Sequence, residues 1–113
     1  MTRFLTNQLT KTELTNEDLA LAKYILKQKF LIGLLEEKTQ SFERFQKYFG
    51  WRLPDDSCIQ KKTEWTWPMK HRHVSVEEGS DAWFLISAQN DYDIQLYEYA
   101  KEIFVQQESI ISV

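Results

Sequence analysis

The run Phe30-Leu31-Ile32-Gly33-Leu34-Leu35 decides how this chain folds. It is continuously apolar and is bounded by Lys27 and Lys29 on one side and Glu36-Glu37 on the other. Its length suits a strand buried on both faces of a parallel sheet, where alternation is lost. The competing reading is a continuation of the preceding helix. Gly33 and the charge break at Lys27 and Lys29 favour the strand. A single buried strand finds no partners elsewhere in this chain, so the rest of such a sheet is expected to lie outside it.

Upstream, Leu14-Thr15-Asn16-Glu17-Asp18-Leu19 has the chemistry of a helix start. Thr15 can accept from the first free amides, and Asp18 falls at the third helical position near the positive helix end. Leu14 and Leu19 have the spacing of a hydrophobic staple. The helix is expected to run to about Gln28, with Leu19, Ala22, Ile25 and Leu26 on one face. Residues 1–9 are weakly patterned, and the abrupt Arg3-Phe4-Leu5 reads as the middle of something larger.

Downstream, Thr39–Phe49 reads as a second helix whose Phe42, Phe45 and Phe49 form an expected core stripe. Gly50 suits the left-handed position after a helix end, with Trp51 just beyond. Residues 52–79 read as one long irregular loop, with a turn at Pro54-Asp55-Asp56-Ser57. Ser80 is placed to cap a short helix through about Ala88. Asn90 is placed to cap a final one, with Asp93 at its third position. There Tyr92, Leu96, Tyr99, Ala100 and Ile103 share an inward face. Residues 109–113 read as a tail.

The chain has 113 residues, 42% of them hydrophobic and 14% aromatic, which fits one domain with a core. Its single cysteine, Cys58, cannot form an internal disulfide and leaves the compartment open. No apolar run approaches the ~20 residues of a membrane span, and no signal peptide or anchor is visible. The net charge of −3 is unevenly spread. Lys61, Lys62, Lys70 and Arg72 make one stretch basic, while from residue 74 onward acids outnumber bases eight to one. The basic stretch is either a solvated face or an edge turned toward an anion.

The glycines at 33, 50 and 79 are isolated, so no glycine-rich loop can wrap a phosphate with its amides. Glu36-Glu37, Asp55-Asp56 and Glu77-Glu78 are adjacent pairs whose members point apart, and they make poor acid–base partners. Glu36 would gain interest only at the carboxyl end of a sheet strand. His71 and His73 flank Arg72 but lack a third metal ligand nearby, so no metal site is assigned. With Lys70 they read as an anion-facing edge or a plain surface loop. Trp65 and Trp67 either stack on a ring or pin their loop. The chain is acidic and carries no RNA- or DNA-binding motif.

Taken in order, these pieces resemble the C-terminal part of the P-loop, carbohydrate-type sulfotransferases. The match runs through Leu14-Thr15-Asn16-Glu17-Asp18-Leu19, Phe30–Glu37, Ser41-Phe42-Glu43-Arg44-Phe45 and Phe49-Gly50-Trp51. It ends on the Trp83 helix and the Asn90, Asp93, Leu96, Tyr97 pattern. The resemblance implies an α/β fold, predominantly helical here: a C-terminal fragment of a P-loop sulfotransferase-like parallel sheet, with one buried strand and about four helices. Residues 1–113 are then a single partial domain. It implies sulfuryl transfer from 3'-phosphoadenosine 5'-phosphosulfate (PAPS) to a hydroxyl, typically of a carbohydrate. A Golgi-lumen location fits the intact family member. The phosphosulfate loop is absent from this chain, so PAPS is not expected to bind the chain alone and no catalytic residue is assigned. Lys70, His71, Arg72 and His73 are similar to the family's late loop near the nucleotide and are the candidate cofactor-binding residues. The alternative is a stand-alone helical protein-interaction module without catalysis.

Overall fold

A computed structural model describes residues 1–51 and 75–111. Among them every regular element is a helix: α1 (Thr2–Leu5), α2 (Asn16–Lys29), α3 (Lys38–Phe49), α4 (Asp81–Gln89), α5 (Asp91–Gln106) and α6 (Glu108–Ile111). The parallel-sheet expectation is therefore corrected. Residues 30–35 form neither a strand nor a continuation of α2, which ends as Phe30 turns to extended backbone at φ −124° and ψ 139°.

A strand needs a neighbour to take its amides and carbonyls. Here side chains take them instead. The Ile32 amide donates to Gln107 Oε1 at 2.9 Å, and the Leu34 amide donates to Ser41 Oγ at 3.0 Å. The Ser41 hydroxyl donates back to the Leu34 carbonyl at 3.2 Å. Ile32 is the one buried residue of the run, and Leu35 is 76% exposed. An apolar run alone does not make a strand; its hydrogen-bond partners decide, and this one pairs with helices.

The described chain divides into two compact units, residues 1–30 with 75–102 and residues 31–51 with 103–111. The first unit is built on α2. Thr15 Oγ1 accepts from the Asp18 amide, and Asp18 accepts from the Thr15 amide at 2.8 Å, a full capping box. Lys27 and Lys29 sit in the last turn, where the helix end is negative. Leu19, Ala22 and Leu26 are buried, as is Leu96 of α5. Residues 1–9, unpatterned in sequence, contain the short helix α1 packed on α2, with Thr2 and Thr6 buried. Thr2 ties α1 to α5: its amide and hydroxyl both donate to Asp93 Oδ1, at 2.8 and 2.7 Å.

The second unit gathers Ile32, Ile103, Phe104 and Ile111. Its helix α3 ends on Gly50 at φ +65°, and the Gly50 and Trp51 amides both donate to the Gln46 carbonyl. The phenylalanine stripe is not the buried face of α3. Phe42 and Phe45 are half-buried and Phe49 is 52% exposed, while Ser41 and Arg44 are buried. The expected tail is also corrected, because its described residues, 109–111, belong to α6 and bury Ile111.

Candidate binding surfaces

Two aspartates have perturbed carboxyls, and each is engaged in holding helices together. The Lys11 ammonium, 2.6 Å from Asp18, and the Thr15 amide hold the Asp18 carboxyl below its usual range against the upward push of burial. Burial pushes the Asp93 carboxyl up, but the Thr2 amide and hydroxyl with the Met1 ammonium outweigh it, and the net shift is downward. A lowered carboxylate stays ionised at neutral pH and is a poor proton donor or acceptor there. The groups bonded to them, Lys11 and Thr15 at Asp18 and Thr2 and the Met1 ammonium at Asp93, act as donors that join helix ends.

One cleft, about 530 Å³, lies in the first unit and is lined by Arg3, Glu13, Leu14, Asn90, Asp91 and Tyr92 among others. Arg3 is already committed there, donating from Nη1 to the Lys11 carbonyl and from Nη2 to the Thr12 carbonyl at 3.1 Å. Another cleft, about 180 Å³, belongs to the second unit and is lined by Arg44 among others. Arg44 is 5% exposed; its guanidinium lies 3.7 Å from the centre of the Phe104 ring and donates to the Phe104 carbonyl. That carbonyl is in the last turn of α5, where helix carbonyls lack intrahelical amide partners and the helix end favours a cation. Arg44 is thus a structural clamp, with Glu108 4.0 Å away at the rim.

The sequence-predicted site residues Lys70, His71, Arg72 and His73 lie outside the described residues, as do Cys58, Asp55, Asp56, Trp65 and Trp67. Glu36 sits in an exposed turn and ends no strand. Glu77 and Glu78 are exposed in the approach to Ser80. Among the described residues no group of three His, Cys, Asp or Glu is placed to hold a metal, and no helix is long and apolar enough to cross a membrane.

What the structure adds is the exposure of α4. Ser80 Oγ accepts from the Trp83 amide at 3.2 Å and donates to the Glu77 carbonyl at 2.7 Å. At the other end the Asn90 amide bonds to the Ile86 and Ser87 carbonyls, and its side-chain Nδ2 bonds to Ile86. Asn90 therefore closes α4 with the side chain that the sequence reading gave to the next helix. The helix so fixed reads Asp-Ala-Trp-Phe-Leu-Ile-Ser-Ala-Gln, with no polar stripe separating its apolar residues. None of its residues is buried; Phe84, Leu85 and Ile86 are 58, 68 and 49% exposed. Trp83 and Phe84 meet edge to face, with ring centres 5.1 Å apart. The signal available in the sequence was the unbroken Trp-Phe-Leu-Ile, which offers no polar face to water.

A second exposed aromatic group closes α3. Tyr48 meets Phe49 edge to face at 5.1 Å, and Phe49 stacks on Trp51 at 4.8 Å. No protein-family model, curated protein or solved structure matches the chain.

Proposed function

We propose that the chain is a helical binding module that offers α4 to a second polypeptide and catalyses no reaction by itself. The observation that carries this reading is a helix capped at both ends, apolar around its circumference and without a buried residue. A helix of that composition belongs in an interior. A protein surface that holds it in water marks an interaction site. The test titrates the isotopically labelled chain with helical peptides that share one apolar face and differ in having a basic, neutral or acidic polar face. Saturable amide shifts across residues 80–90 with at least one peptide are expected. No saturable shift with any of them removes the module reading.

A second reading makes the chain the C-terminal segment of a sulfotransferase-type protein acting with PAPS on a carbohydrate hydroxyl. The order of helices favours it: a helix after Thr15, one carrying Ser41 and ending at Gly50-Trp51, one carrying Trp83, and one carrying Asp93, Leu96 and Tyr97. It no longer includes a sheet strand at 30–35. On this reading the Lys70–His73 stretch faces the nucleotide anion. Calorimetric titration with adenosine 3',5'-bisphosphate tests it. Saturable heat lost in a Lys70→Ala/Arg72→Ala variant supports the reading, and absence of heat removes a nucleotide-binding role for the chain by itself.

A further inference from the structure

Resting on the binding-module reading, we infer that the partner of α4 is a basic amphipathic helix. Residues 75–100 contain Glu77, Glu78, Asp81, Asp91, Asp93 and Glu98 and no lysine or arginine. Asp93 is engaged by Thr2, and Glu98 is paired with Lys101 at 3.0 Å. Glu77 and Glu78 precede α4, Asp81 is its first residue, and Asp91 stands just after it. None of these four has an ion-pair partner among the described residues. Three acids therefore stand at the start of a helix roughly 13 Å long, and a fourth, Asp91, follows its end in the cleft that Arg3 and Met1 also line.

This placement of acids selects among occupants. A second copy docking α4 on α4 would set acids against acids in either orientation, because both ends carry them. An anionic lipid surface meets the same repulsion. A partner with an apolar stripe at i, i+3, i+4 and i+7, and with Lys or Arg on its flanks, satisfies the apolar face and the charges together.

The experiment uses the full chain and three synthetic amphipathic peptides with one apolar face and a Lys, Gln or Glu polar face. The Lys peptide is expected to bind at residues 80–90 at least about tenfold tighter than the Glu peptide. Its affinity should fall about tenfold as added salt shortens the screening length from ~10 to ~3 Å. Glu77→Lys/Glu78→Lys should narrow or reverse the preference, with the amide spectrum elsewhere reporting an intact fold. Equal or tighter binding of the Gln or Glu peptide overturns the inference about the partner but leaves the module standing. Dimerisation abolished by Leu85→Ser, or binding to phosphatidylserine vesicles, also overturns it. Failure of all three peptides removes the module reading beneath it.

Discussion

Replacing Arg44 by alanine tests the account of the second unit most sharply. Three contributions are lost together. The first is a hydrogen bond from a charged donor to the Phe104 carbonyl, of a kind that contributes about 1.5–3 kcal/mol. The second is a guanidinium stacked 3.7 Å from the Phe104 ring centre, about 0.5–2 kcal/mol. The third is the packing of a buried aliphatic stem. Against these stands the cost of holding a cation out of water in the native state, which alanine relieves. The net expectation is a loss of about 2–4 kcal/mol. With a urea slope of about 1–2 kcal/mol/M, the unfolding midpoint should drop by about 1–4 M. Arg44→Lys keeps the charge but not the planar stacking, and should cost about 1–2 kcal/mol. Glu108→Gln should cost less than about 0.5 kcal/mol, because Glu108 is 62% exposed and 4.0 Å from the guanidinium. Urea unfolding followed by circular dichroism, with exchange at residues 38–49 and 103–111, provides the readout. An Arg44→Ala variant within about 0.5 kcal/mol of the parent would refute the clamp.

A Cβ added at Gly33 falls 2.6 Å from Phe45 Cζ, so Gly33→Ala should destabilise by about 1–2 kcal/mol, and Gly33→Ala/Phe45→Leu should recover much of that in a double-mutant cycle. Thr15→Ala should cost about 1 kcal/mol by removing the acceptor of the Asp18 amide, as read by thermal unfolding. Because Asp18 and Asp93 are both held below the usual aspartate value of 3.8, the unfolded chain binds their protons more readily than the folded one. Their stabilisation is thus complete above the unfolded value and is lost as pH falls through the folded ones. Asp93→Asn should flatten that acid limb in a pH series of unfolding curves. Leu85→Ser, at a 68% exposed position, should leave stability within about 0.5 kcal/mol of the parent in urea unfolding.

The helix ends were legible because capping is local chemistry. Thr15 with Asp18, Gly50 at positive φ, and Ser80 with Trp83 each lie within a few residues of their partners. The inward spacing of Leu96 and Ile103 on α5 was legible for the same reason, since both are 2% exposed on one helical face. Residues 30–35 were not, because strand formation depends on partners far away in sequence, and the partner of Ile32 is Gln107. The face of α3 misled for a related reason. Phenylalanines outrank arginine on hydropathy, yet Arg44 is buried because a ring and a helix-end carbonyl of Phe104 receive it. Asn90 served two helix ends equally well in sequence, and its side chain closes the earlier one. The exposure of α4 was hidden because composition says that an apolar helix is covered, not by what. The predicted anion-facing stretch at 70–73 lies outside the described residues.

Amide hydrogen exchange across Asp81–Gln89 addresses the central claim, that α4 is a formed but uncovered helix awaiting a partner. A nine-residue helix without buried side chains is marginal by itself, so in the free chain its amides should exchange much faster than those around Leu96 in α5. Saturation with the Lys-faced peptide should slow them by about tenfold or more. Amides of α4 as protected in the free chain as those of α5, and unchanged by peptide, would contradict the account, because the apolar surface would then already be covered.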